Sequence, residues 1–165
     1  MELSRRRRSL MPLLVLALVI PALSGCWAFV GYDADQSLGA GVRGQVALDR
    51  VLPGAEEDGF ATRLNVAGGV HLFSPGDDEV LQGNVDLILP LFGLGDGAAR
   101  SYAGSGLSMA RVSAGTDDSS WDAGLNLFGG VQFEGRAFAP FFEARGGIGG
   151  ATPFTALVGV RLFSP

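Results

Sequence analysis

The sequence predicts an all-β protein, an antiparallel up-and-down β-barrel of about eight strands. Apolar residues recur at every second position through most of the chain after residue 36, which is the period of a strand with one oily and one polar face. Polar, acidic or glycine-rich segments interrupt these runs at short intervals, as hairpin connections do. No stretch carries a convincing helical stripe, and closing such a meander into a barrel removes its exposed edges.

The chain opens with Arg5-Arg6-Arg7-Arg8, then an uncharged apolar run over 10–23. As a helix that run rises about 21 Å, short of a hydrocarbon core of about 30 Å. Pro12 and Pro21 break it near each end. A basic segment, an apolar segment and small residues make a cleaved secretory signal rather than a transmembrane anchor. A twin-arginine export signal at Ser4-Arg5-Arg6 fits less well.

Leu23-Ser24-Gly25-Cys26 closes this leader with the single cysteine of the chain. It resembles the lipobox of bacterial lipoprotein precursors. The resemblance implies that residues 1–25 are removed and that Cys26 becomes the acylated first residue. Trp27 stands where an aspartate would favour inner-membrane retention, which points to the outer membrane. The plain alternative is ordinary cleavage with Cys26 as a free thiol. Residues 26–36 are then the lipid-anchored N-terminus. A short first strand over 27–32, turning at 33–36, would place both termini at one end of the barrel.

The barrel domain is expected over 37–165. In its first run Leu38, Val42, Val46 and Leu48 oppose Arg43, Gln45 and Asp49. Over 60–73, Phe60, Thr62, Leu64, Val66, Val70 and Leu72 oppose Arg63, Asn65 and His71. Next, Leu81, Val85, Leu87, Leu89 and Leu91 oppose Gln82, Asn84 and Asp86. The run over 102–112 is rich in Gly, Ser and Ala, and its facing is not readable. Trp121, Ala123, Leu125, Leu127, Val131 and Phe133 oppose Asp122, Asn126 and Gln132. Phe138, Phe142, Ala144 and Ile148 oppose Glu143 and Arg145, and Phe154, Ala156, Val158, Val160 and Leu162 oppose Thr155 and Arg161. These are seven good strands, so the segment after Cys26 is needed for an even number.

Alternation alone does not say which face is wet, because soluble barrels turn the oily face inward and membrane barrels turn it outward. Three observations favour the membrane. The runs, about 11 to 14 residues long, meet or exceed the 9 to 11 or so that span a bilayer when tilted. Aromatics sit near strand ends at Phe60, Phe92, Trp121, Phe133, Phe138, Phe154 and Phe163, as in interfacial girdles. The polar face mixes Arg43, Arg63, Arg145 and Arg161 with Asp86, Asp122 and Glu143, which suits a narrow lumen where charges pair. Arg43, Arg63, Asp86, Glu143 and Arg145 are the expected lumen ion-pair network.

With these features the chain resembles the small bacterial outer-membrane β-barrel proteins of roughly eight strands. The final run Gly159-Val160-Arg161-Leu162-Phe163 resembles the last-strand signal read by barrel-assembly machinery, although Ser164-Pro165 extends beyond the aromatic. The resemblance implies an outer-membrane location, membrane lipid and that machinery as partners, and a structural or interaction role without enzymatic activity. The competing reading is a periplasm-facing lipoprotein whose soluble, lipocalin-like barrel binds an apolar ligand. It requires the oily parity to face inward.

Composition excludes several other classes. Without the leader, eight arginines and sixteen acids remain, near −8, and there is no lysine; nucleic-acid binding needs a basic surface. One cysteine allows no intramolecular disulfide. His71 is the sole histidine, so neither a metal nor another cofactor is expected. Some barrels of this kind are lipid-modifying enzymes with Ser and His on the wall, but no spacing marks Ser105 or Ser108 as activated. Asp77-Asp78-Glu79 and Asp117-Asp118 read as solvated turns, lacking the spacing of a calcium loop. Gly93-Leu94-Gly95-Asp96-Gly97 reads as a hairpin connection.

Overall fold

A computed structural model describes residues 25–34, 37–52, 59–74, 78–95, 97–113, 119–135, 137–149 and 153–162. Eight strands close into one antiparallel barrel in chain order: β1 (Cys26–Asp33), β2 (Leu38–Ala47), β3 (Asn65–Phe73), β4 (Glu79–Leu94), β5 (Ala99–Ser113), β6 (Ser119–Phe133), β7 (Phe138–Gly149) and β8 (Phe154–Leu162). β1 pairs with both β2 and β8 and closes the ring. The chain enters and leaves at the same end, here called the terminus end.

Two boundaries differ from the sequence expectation. The segment after Cys26 is a full barrel strand, so the barrel begins at residue 26 and not at residue 37. The run over 60–73 is not one strand. Phe60–Arg63 is a 3-10 turn, closed by Thr62 N–H donating to the Gly59 carbonyl, and β3 starts at Asn65. Four residues of a 3-10 turn can carry an alternating pattern by chance, and among the described residues no partner strand faces this stretch. Leu48–Val51 is likewise a helical turn, so Asp49 leaves the sheet. The leader through Ser24, the acidic turns at Asp77 and Asp117-Asp118, and Phe163 lie outside the described residues.

Parity sorts the side chains. Trp27, Phe29, Arg43, Gln45, His71, Phe73, Gln82, Asn84, Asp86, Asn126, Phe141, Glu143, Arg145 and Leu157 point into the lumen and are buried. Val85, Leu107, Leu125, Leu127, Phe142 and Ile148 point outward and are more than half exposed. Outward positions in the middle of the wall, from Val30 and Val42 to Ala144 and Val158, carry no charged residue. Exposed aromatics gather near the rims: Phe92, Phe133 and Phe138 at the terminus end, Tyr32, Trp121 and Phe154 at the far end. The unreadable fifth run resolves with Tyr102, Ser108 and Ala110 inward and Leu107 and Met109 outward.

The lumen is filled by large side chains facing glycines. Trp27, Phe29, Ala67, Ile88, Tyr102, Phe128, Phe141 and Leu157 form one apolar cluster, and Phe73, Val80 and Ala110 a second toward the far end. Gly104 lies under the Phe128 ring, and Gly106 lies against the Asp86 carboxylate and 2.5 Å from the Val85 carbonyl, measured from where a Cβ would stand. A methyl group there would collide with backbone, which does not give way. Gly106→Ala is therefore expected to lower stability by about 1–3 kcal/mol, the usual cost of overpacking. Gly83→Ala, whose added methyl meets nothing closer than 3.9 Å, should be nearly neutral. Denaturant midpoints of the two variants check this.

Candidate functional site

Four charged side chains meet at the middle of the lumen. Glu143 and Arg145 stand two apart on β7 and so share its inner face. Arg43 reaches them from β2 and Asp86 from β4. Oε2 of Glu143 accepts from Arg43 Nη1 at 2.8 Å and from the Tyr102 hydroxyl at 2.9 Å. Oε1 accepts from Arg145 Nε at 3.0 Å and lies 2.9 Å from Nη2. Arg145 also donates to Asp86 through Nη2 at 2.7 Å and through Nη1 at 3.4 Å.

Charge balances here: two guanidiniums, two carboxylates. All four side chains are no more than 4% exposed. Desolvating ions at this depth costs several kcal/mol each, offset only by close pairing and satisfied oxygens. Glu143 meets that condition, because four donors surround its two oxygens. The guanidiniums also lie over rings: Arg43 over Trp27 at 4.4 Å and Arg145 over Phe128 at 4.5 Å. Such contacts strengthen when desolvated. Above this hub Asn84 Oδ1 accepts from Gln82 at 2.9 Å and from Asn126 at 2.8 Å, linking β4 to β6.

Of the five residues expected in the network, the structure brings together Arg43, Asp86, Glu143 and Arg145. Arg63 is not among them. It ends the 3-10 turn between β2 and β3, exposed to the outside. Asp122 keeps the inward parity, opposite Ala110, but is exposed near the far rim and outside the network, because β6 runs beyond the start of its pairing with β7 at Gly124. Tyr102 and the inward aromatics were missed in the sequence. Their signal was present: Phe141 shares parity with Glu143 and Arg145, and Phe128 with Asn126.

The remaining candidates separate in space. His71 is buried, edge-on to Phe29 at 4.7 Å and near Phe73 at 6.0 Å. Its Nε2 has no hydrogen-bond partner among the described residues. Ser108 is inside the lumen while Ser105 faces outward. Among the described residues no three of His, Cys, Asp and Glu converge as metal ligands. Cys26 heads β1 with its side chain on the outward parity, opposite that of Trp27, at the terminus-end rim.

Comparison with known proteins gives fold alone. No protein-family model matches the sequence, and no curated protein matches it. Among solved structures the chain is similar to the N-terminal β-barrel domain of Pseudomonas aeruginosa OprF, with TM-score 0.58, 15% identity, and 85% of this chain and 97% of that one covered. It is also similar to Neisserial surface protein A (NspA), with TM-score 0.55, 12% identity and coverage of 84% and 93%.

Proposed function

We propose that this chain is a lipid-anchored β-barrel of the bacterial outer membrane with a structural or interaction role at the cell envelope, and not an enzyme. The observation that carries this reading is the partition of the wall. Leucines and valines face outward across its middle, aromatics ring both ends, and the arginines of the hub are enclosed with their carboxylates. A water-soluble barrel with that outer face would expose an apolar belt far larger than monomers tolerate. The lipocalin-like alternative fails on the same partition, because the oily parity does not line the interior. One of the similar barrels is, by its name, a surface protein.

The anchor reading rests on Cys26. Its side chain stands at the rim on the face that meets lipid, so acyl groups there would enter the membrane beside the wall with no intervening linker. Cys26→Ser is expected to abolish incorporation of labelled palmitate and to remove the acyl mass, while the barrel still folds. Unchanged labelling would refute the anchor. Membrane fractionation with unboiled gels tests the barrel itself: it should need detergent to fold and migrate differently before boiling.

β8 is the strand we assign to recognition by barrel-assembly machinery, since it both ends the chain's last run and closes on β1. Phe163→Ala is expected to raise the unassembled fraction in cells several-fold without altering the midpoint of the assembled barrel. Equal assembly of both forms would remove this role.

A further inference from the structure

We propose that the terminus-end half of the lumen is a binding site for a small oxyanion, a carboxylate or inorganic phosphate, held by Arg43, Trp27 and Arg161. The three residues form one row across the sheet. Trp27 of β1 pairs with Arg43 of β2 on one side and with Arg161 of β8 on the other. All three have lumen parity. The guanidinium carbons of Arg43 and Arg161 lie 4.4 Å and 5.7 Å from the centroid of the same indole ring. Two cations therefore flank one aromatic side chain.

Their unused hydrogen-bonding capacity is of one kind. Glu143 takes only Nη1 of Arg43. Among the described residues Nε and Nη2 of Arg43 are buried without a partner, as are Trp27 Nε1 and Arg161 Nε. Arg43 is 1% exposed and Trp27 is 2% exposed. Every one of these atoms is a donor. Nε and Nη2 together form the side-on fork that a guanidinium offers to carboxylate or phosphate oxygens. A free fork, an indole N–H and a second guanidinium on three adjacent strands match the donor set of an oxyanion site.

Charge points the same way. Asp86 and Glu143 balance Arg43 and Arg145, but Arg161 has no carboxylate partner among the described residues. Water would satisfy the donors and leave that charge uncompensated; an anion does both. The row faces the lumen and not the outer wall, so the ligand comes from the aqueous phase and is not the headgroup of a surrounding lipid.

The purified full chain in neutral detergent is titrated with inorganic phosphate and with acetate at constant ionic strength. The readouts are the thermal midpoint on unboiled gels and, for phosphate, the 31P line width. A saturable rise in midpoint is expected. Arg161→Gln and Trp27→Phe should each weaken the apparent affinity about tenfold or more, the loss expected for a hydrogen bond to a charged group. Neither removes a contact of Glu143, and Arg161→Gln keeps the aliphatic stem and a polar head, so a folded variant remains available. Arg100→Gln, on the exposed rim, should leave binding unchanged. The proposal is overturned by an absent or non-saturable response, by equal affinity in the two lumen variants, or by stabilisation that only phosphatidylglycerol and neither free anion produces.

Discussion

Glu143→Ala is expected to destabilise the barrel by about 3–5 kcal/mol, the cost of breaking a buried pair from one side. Glu143 is the hub at which Arg43, Arg145 and Tyr102 meet. Without it Arg145 keeps Asp86, but Arg43 has no carboxylate left among the described residues, and the Tyr102 hydroxyl loses its acceptor. The penalty comes from the orphaned charge more than from the lost contact. Two companions separate these causes. Glu134→Ala breaks a pair of nearly the same length, 2.7 Å to Arg100 against 2.8 Å to Arg43. That pair is 71% and 48% exposed, against 1% and 0%, so its loss should cost about 0–1 kcal/mol. Arg43→Met combined with Glu143→Leu removes the stranded guanidinium and should recover part of the loss. Urea midpoints of refolded protein in lipid vesicles measure all three. A Glu143→Ala midpoint equal to that of Glu134→Ala would show that the hub is solvated in solution.

The hub also shows what period-two reading can and cannot reach. Arg43, Asp86, Glu143 and Arg145 were legible because each stands on the parity opposite an apolar one, Arg43 beside Gln45, Asp86 beside Gln82 and Asn84, and Glu143 and Arg145 beside each other. Arg63 fits the same pattern and is elsewhere, because alternation reports what a residue would face in a strand, not whether the strand has begun. Among the described residues the stretch Phe60–Arg63 has no strand to pair with and forms a 3-10 turn, and that is a tertiary fact. β5 was opaque for a different reason. Gly104, Gly106 and Ser108 line the lumen while Ala103 and Ser105 face outward, so small residues occupy both faces and no contrast remains. The aromatic filling of the lumen was hidden by expecting polar residues there. A narrow barrel has to fill its interior with side chains, and Phe29, Phe128 and Phe141 fill it, opposite glycines on neighbouring strands. β1 was short in sequence because its apolar run is brief. Pairing on both sides makes it as complete a strand as β8.

Leu107→Arg discriminates most sharply between a wall that meets acyl chains and one that meets water. Leu107 is 64% exposed near the middle of β5, between Val85 at 61% and Leu125 at 54% on the paired strands. On a water-facing surface an arginine there costs almost nothing, within about 0.5 kcal/mol. At the midplane of a bilayer it costs about 2–4 kcal/mol, falling to about 0–1 near the interface. The chain carries its own control. Arg111 lies four residues further along the same outward parity, opposite Trp121 near the far rim. A natural cation is thus tolerated at the edge of the aromatic band while none occurs at mid-wall. Arg111→Leu should change stability little, and Leu107→Arg should lower the folded-to-unfolded ratio in vesicles about 30-fold or more at an unchanged denaturant concentration, which is the ratio about 2 kcal/mol gives. The same two variants in detergent-free buffer supply the opposing result. If the wild-type barrel stays dispersed and folded there, and Leu107→Arg matches it, the outward leucines face solvent and the membrane reading is wrong.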